Sequence, residues 1–316
     1  MKSDTNKKYR LLTRSDFDGL VAAVLLKHLD LIDEIVFVHP KDMQDGKIEV
    51  SDRDIATNLP YVEGVFLCFD HHESEARRSA KRENHIIYPE ARSAARVVWD
   101  YYGGGTAFPP LFLPMIEAAD KIDSADFTMN DVMNPSGWVL LGFITDSRTG
   151  LGRFKDFNMS NYNLMMKLVD LCETEELDKI LELPDVQERI LLYRKHEELS
   201  RRQIQRCCRI EDKALIIDLR GEETIYAGNR FTRYALYPET NLSIQIMWGR
   251  DKKNTVIAIG KSIFNRTSKV NIGALTLDYK GGGHAGAGTC QVSNDQADGI
   301  LKELLKRIRE SEAVQI

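Results

Sequence analysis

The stretch Gly64-Val65-Phe66-Leu67-Cys68-Phe69-Asp70-His71-His72 decides how this chain folds. Its first part is a short apolar run opened by glycine, the pattern of a strand buried in a sheet. Asp70, His71 and His72 then emerge where that strand ends. A carboxylate and two imidazoles at a strand end suit a divalent cation held against a phosphate.

Upstream, Tyr9 to Thr13 reads as a strand, and Asp16-Phe17-Asp18-Gly19 follows it as a turn. Leu20 to Leu29 is almost continuously apolar, which predicts a helix buried on nearly all sides. Glu34 to Val38 reads as a second strand, closed by Pro40. Strand, turn, buried helix and strand predict a βαβ unit in a parallel sheet. Such sheets bind ligands at the carboxyl ends of their strands, and both acidic motifs fall there. Asp16 and Asp18 flank a single residue, so each can reach a hard cation, one for each metal of a pair. The same pattern also serves as a plain turn with helix-capping value.

Downstream, Pro109 to Val169 is mostly helical in pattern, broken by a Gly-rich segment from Thr145 to Arg153. Just before it, Gly142 to Asp146 reads as a strand followed by an acid. Asp185 to Arg209 predicts a long charged helix connecting two domains. From Ala214 the texture changes to short strands, Leu215 to Leu219, Leu242 to Trp248 and Thr255 to Ile259. An amphipathic helix from about Asp295 to Arg309 closes the chain. Gly281-Gly282-Gly283-His284, followed by Gly286 and Gly288, predicts a loop whose backbone N–H groups can approach anionic oxygens closely.

The 316 residues allow about two domains. A net charge of −5 argues against long duplex nucleic acid as a partner and leaves room for a short anionic substrate. Five scattered cysteines without Cys-x-x-Cys spacing predict a reducing, cytoplasmic setting. The lysine-rich start resembles no signal peptide, and no stretch approaches the ~18 apolar residues of a membrane span. No membrane partner is expected.

Asp-x-Asp, then Asp-His-His, then Gly-Gly-Gly-His, in that order, resembles the DHH phosphoesterase family with its C-terminal DHH-associated domain. The likeness spans about residues 9 to 290 and lies nearest the exopolyphosphatase-like and oligoribonuclease-like branch. It implies an α/β chain: a parallel-sheet DHH catalytic domain with helices on both faces over 1–184, a linker helix over 185–211, and a smaller α/β domain with a mixed sheet over 212–316. It implies Mn2+ or Mg2+ as cofactor, one or two ions. Asp18, His71 and Asp120 would hold one cation, and Asp16 and Asn58 the other. His72 would face the scissile phosphate, with Asp70 and Asp123 supporting the ligands. Arg266, Gly282, Gly283 and His284 would contact substrate phosphate, with Arg148 and Arg153 as weaker candidates.

Some positions stay open. Asp54 rivals Asn58, and Asp146 rivals Asp120. Many DHH enzymes place a histidine ligand at the position of Leu12, and Asn58 brings no negative charge. His39 is a candidate substitute for the missing histidine. The implied activity is hydrolysis of a small phosphorylated substrate by in-line attack of metal-bound water. A short single-stranded oligoribonucleotide, a 3′,5′-bisphosphonucleoside and polyphosphate are the substrate classes. The alternative is a catalytically degenerate nucleotide- or phosphate-binding regulatory protein of the same fold. A homodimer is compatible with either.

Overall fold

The computed structural model describes residues 7–72, 82–154 and 156–313. The chain divides into two compact units, Met1–Tyr193 and Arg194–Ile316. In the first unit the strands are β1 (Tyr9–Thr13), β2 (Ile32–Phe37), β3 (Asp54–Thr57), β4 (Leu67–Asp70) and β5 (His85–Ile87). They form one sheet in the order β2-β1-β3-β4-β5, and every pairing is parallel. The helices are α1 (Phe17–His28), α2 (Pro40–Gln44), α3 (Ala94–Tyr101), α4 (Leu113–Asp123), α5 (Met129–Met133), α6 (Gly137–Thr145), α7 (Asn161–Thr174) and α8 (Leu177–Leu181). Helix α9 (Pro184–Cys207) follows, and the division between the units falls inside it.

Side chains alternate between the two faces of the sheet. Leu12, Ala56 and Cys68 lie on one face and pack with Met43 of α2. Leu11, Ile55 and Phe69 take the other, also fully buried. There the Phe69 ring meets Tyr101 of α3 edge to face at 5.2 Å. Helix α1 is buried from Phe17 through Leu26, as its unbroken apolar composition requires. Because all the strands run the same way, Arg14 to Asp18, Asn58 and Asp70 to His72 leave the sheet at one edge.

The second unit holds β6 (Cys208–Glu211), β7 (Ala214–Asp218), α10 (Thr232–Leu236), β8 (Leu242–Trp248), β9 (Thr255–Lys261), α11 (Ile272–Leu277), β10 (Gly282–His284), β11 (Ala287–Val292) and α12 (Ala297–Ala313). Its sheet has the order β10-β11-β9-β8-β7-β6. Strands β7 and β8 pair in parallel and the rest are antiparallel, so the sheet is mixed. Ile216, Ile244, Ile257 and Ile259 pack with Leu301, Leu304 and Ile308 of α12.

Two local expectations change. Gly142 to Asp146 is not a strand ending in an acid: it is the end of helix α6. A fully apolar run buried on all sides does not show its period, and Leu140 to Ile144 are all buried. Gly282 to His284 is not a loop but an exposed edge strand, paired to β11. No helix among the described residues is long and apolar enough to cross a membrane.

Gly19 ties the sheet to α1. A Cβ there would sit 2.0 Å from the Arg14 carbonyl oxygen, which is backbone and has little room to move. Gly19→Ala should therefore cost roughly 1–3 kcal/mol, the usual penalty of overpacking. Urea unfolding of the two proteins checks this, and equal midpoints would contradict it.

Candidate active site

Helix α1 begins with Asp16 as its cap, the carboxylate accepting from the Gly19 N–H at 3.0 Å. Asp18 lies in the first turn and is only 2% exposed. Its two oxygens accept from the backbone N–H groups of Ala94 and Ala95 at 2.9 and 2.7 Å. Those residues open α3, capped by Ser93. A helix N-terminus offers unpaired N–H groups and a positive dipole end, and so favours an anion. A carboxylate from one helix thus docks on the start of another.

At the end of β4, Asp70 is buried, and its Oδ1 accepts from the His71 and His72 N–H groups at 2.8 and 3.2 Å. The same oxygen accepts from His72 Nδ1 at 2.6 Å. His71 Nδ1 lies 3.3 Å from the Ala91 carbonyl, so it carries the proton and donates. That tautomer leaves the lone pair on His71 Nε2, the arrangement typical of a ligating histidine. His71 Nε2 is buried and lies 3.0 Å from Asp123 Oδ2, yet makes no hydrogen bond in proper line. Ligand atoms of Asp18, His71 and Asp123 all fall within 4.8 Å of one another, as do those of Asp70, His71 and His72.

The electrostatics follow from this crowding. Burial, reinforced by the neighbouring Asp123, raises the Asp18 pKa to about 7. Burial opposes charge on His71, but Asp123, Asp18 and Asp70 outweigh it and lift the imidazole to about 9. Asp123 is half-buried, which opposes its charge, and His71 nevertheless holds it below the usual carboxylate range. The pairing of Nδ1 with Asp70 raises His72. Two carboxylates and an imidazole with an unpartnered buried nitrogen fit a divalent cation, which would take the place of the shared protons.

The expected ligands Asp120, Asp16 and Asn58 stand outside this group in the structure. Asp120 does not belong to this group. Its carboxylate is taken by Ser93 Oγ at 2.7 Å and by Arg96 Nε and Nη2 at 2.9 and 2.7 Å. Asp123, one turn on, is the residue that faces His71. Asp120 instead braces the cap of α3, and through it the N–H groups that hold Asp18. The pairing of Asp16 with Asn58 around a second cation is not matched either. Asp16 Oδ2 lies 3.0 Å from Arg14 Nε, and its Oδ1 accepts from Asn58 Nδ2 at 3.2 Å. Asp16 is in neither cluster with ligand spacing found among the described residues.

The rival positions sort cleanly. Asp54 opens β3 at the far end of the strand, bound to Arg10 at 2.7 Å and to the Ser51 N–H at 2.6 Å. Asn58 follows the carboxyl end of β3, with its buried Oδ1 unpartnered. Asp146 binds Arg148 at 2.8 Å and caps a turn. Leu12 is core, and His39 Nδ1 caps α2 by accepting from the Lys41 N–H at 3.2 Å. Sequence reasoning misses Arg14, Ser93 and Arg96. Arg14 stands two residues before Asp16, and that proximity is the available signal.

Beside Arg14 opens a cavity of about 430 Å3, whose walls include Arg14, Phe37, Ile144, Arg148, Asn161 and Met165. In the second unit, Gly282, Gly283 and His284 are exposed. Gly283 has φ +154°, and a Cβ there would lie 2.2 Å from the Ala287 carbonyl oxygen. His284 Nδ1 accepts from the Gly286 N–H at 3.1 Å. Arg266 is exposed, and its Nε donates to the Ile263 carbonyl at 2.9 Å.

No family model matches the chain, and no curated protein matches it. Among solved structures, the pGpG-specific phosphodiesterase PggH from Vibrio cholerae is 57% identical, with a TM-score of 0.84 over 96% of this chain and 100% of that one. The DHH domain of a member of the s1p family of ribosomal proteins superposes with a TM-score of 0.63 at 11% identity, over 98% of this chain and 88% of that one. RecJ from Thermus thermophilus, in complex with Mn2+, gives 0.55 at 14% identity, over 96% of this chain and 52% of that one.

The raised pKa values fix a pH dependence. The stability contributed by protonated His71 is full below 6.5 and is lost as pH rises through about 9. Asp18 acts in the same direction between 3.8 and about 7, since its folded form holds the proton more tightly. The protein in EDTA should melt at lower temperature at pH 9 than at pH 6. Mn2+ should stabilise it more at pH 9, because cation and protons compete for the same atoms. Melting curves at both pH values check this, and a larger Mn2+ effect at pH 6 would contradict it.

Proposed function

The chain belongs to the DHH phosphoesterase family, and on that premise we propose that it is a divalent-metal-dependent phosphodiesterase of linear dinucleotides such as pGpG. It is a hydrolase of phosphoric esters. The observation that carries the proposal is the convergence of Asp18, His71 and Asp123 at the carboxyl edge of the parallel sheet. The substrate is narrowed by the 57% identity to an enzyme described as pGpG-specific. The regulatory-protein alternative loses its basis, because Leu12 and Asn58 leave this group whole.

Asp18, Asp123 and His71 Nε2 would hold one Mn2+ or Mg2+, the ions bound by structural relatives. When bound, such an ion neutralises phosphoryl charge and lowers the pKa of water at the site. The chain's own groups do the rest. Asp70 fixes the His72 ring by accepting from Nδ1, which leaves Nε2 as the end that can meet a substrate. The His72 side chain is 43% exposed, open enough to meet a substrate. The Asp70 hydrogen bond raises its pKa and so favours the protonated ring, which can hand a proton to the departing oxygen as general acid. Asp16, held by Arg14 and Asn58, lines the site without serving as a ligand. In the second unit, Arg266 and the exposed edge Gly282, Gly283 and His284 are the proposed phosphate contacts; arginine supplies paired donors and glycine leaves the backbone open.

With pGpG and Mn2+, the expected product is GMP, and EDTA should stop its release. Asp123→Asn and His71→Ala should each lower kcat/KM more than the roughly 10–100-fold typical of residues outside the ligand set. Asp120→Asn should retain Mn2+ binding and lose stability. Release of GMP in EDTA, or loss of Mn2+ binding in Asp120→Asn with Asp123→Asn unaffected, would contradict the assignment.

A further inference from the structure

We propose that the cavity at the carboxyl ends of β1 and β2 is a guanine pocket, seating one nucleoside of the substrate while its phosphodiester lies at the Asp18–His71–Asp123 cluster. The inference rests on the dinucleotide reading above and assigns residues to it. Arg14 follows β1, Phe37 ends β2, Ile144 lies in α6, Arg148 in the turn after it, and Asn161 and Met165 in α7. Four separate segments therefore build the walls.

Their order matters. Arg14 is tied to Asp16 at 3.0 Å, and Arg148, held by Asp146 at 2.8 Å, also feels the charges of Asp16 and Asp123. The cationic side of the cavity thus adjoins the acidic cluster. Phe37, Ile144 and Met165 provide apolar wall. A phosphodiester at the cluster, a cationic collar and an apolar recess match the polarity of a nucleotide read from phosphate to base.

Size agrees. About 430 Å3 lies within the range of small-ligand pockets and far exceeds the need of a lone phosphate. A purine face on Phe37 is the sequence-tolerant contact that nucleic-acid sites use. The Phe37 ring is steadied by Tyr162, 5.8 Å away at 85°. Base choice then falls to Asn161. Its Oδ1 accepts from Arg189 Nε and Nη2 at 3.3 and 3.2 Å, and Arg189 is fully buried. That anchor fixes which end of the amide is which, so Nδ2 is the end available to a ligand. A donor at this point gives a hydrogen bond to guanine O6 and rejects the amino group that adenine carries there.

The test uses calorimetric titration of the full chain in Mn2+ with GMP, AMP and ribose 5-phosphate. Wild type should bind GMP more tightly than AMP. Phe37→Leu should weaken GMP about tenfold, as for loss of one stacked base, and leave ribose 5-phosphate unchanged. Asn161→Asp keeps an oxygen for Arg189 and exchanges donor for acceptor, so it should narrow or reverse the preference for GMP over AMP. No GMP binding by wild type, equal weakening of GMP and ribose 5-phosphate in Phe37→Leu, or an unchanged base preference in Asn161→Asp would each overturn the pocket. Failure of wild type to cleave pGpG, with GMP binding still dependent on Phe37, would overturn the functional reading and leave the pocket standing.

Discussion

Two backbone N–H groups at the start of α3 hold the buried carboxylate of Asp18, and the remainder of the site is arranged around that docking. An isolated buried carboxylate is costly, and here the helix terminus offsets part of that cost. The other part falls to His71, whose charge when protonated opposes those of Asp18 and Asp123. The result is a cluster that is stable with protons at low pH and suited to a cation once they leave. Asp120, Ser93 and Arg96 matter because they hold the start of α3 where Asp18 needs it.

The parallel sheet explains why residues so distant in the chain converge. Asp18, His71 and the flanking Asn58 all follow strands that point the same way, so one edge collects them. Asp123 arrives differently, from the last turn of α4. At the Asp16 side, the carboxylate is already engaged by protein groups. The Arg14 guanidinium already supplies a positive charge to Asp16, and the Asn58 amide donates to it.

Much of this is legible in the sequence. The buried strand before Asp70 and the apolar run after Asp18 locate the sheet edge, because period and burial depend only on local composition. Asp123 is recognisable as a neighbour of Asp120, but it is Asp123 that stands beside His71, while Asp120 is bonded to Ser93 and Arg96. A spacing of three residues places both on one helix face, and only the positions of Ser93 and Arg96 decide which carboxylate is already taken. Asn58 is preferred over Asp54 because a strand has two ends, and that distinction is visible in sequence. The edge strand of Gly282 to His284 is not, since glycines carry no β signal and pair here only through their backbone with β11. Helix α6 escapes a sequence reading in part because an all-apolar segment has no polar face to reveal its period.

Anomalous diffraction at the manganese edge, from crystals of the full chain grown with Mn2+, tests the central claim most directly. One strong peak within coordinating distance of Asp18, His71 Nε2 and Asp123, and none against Asp120, is the predicted map. A peak bound by Asp120 in place of Asp123, or no peak at this cluster, would contradict it.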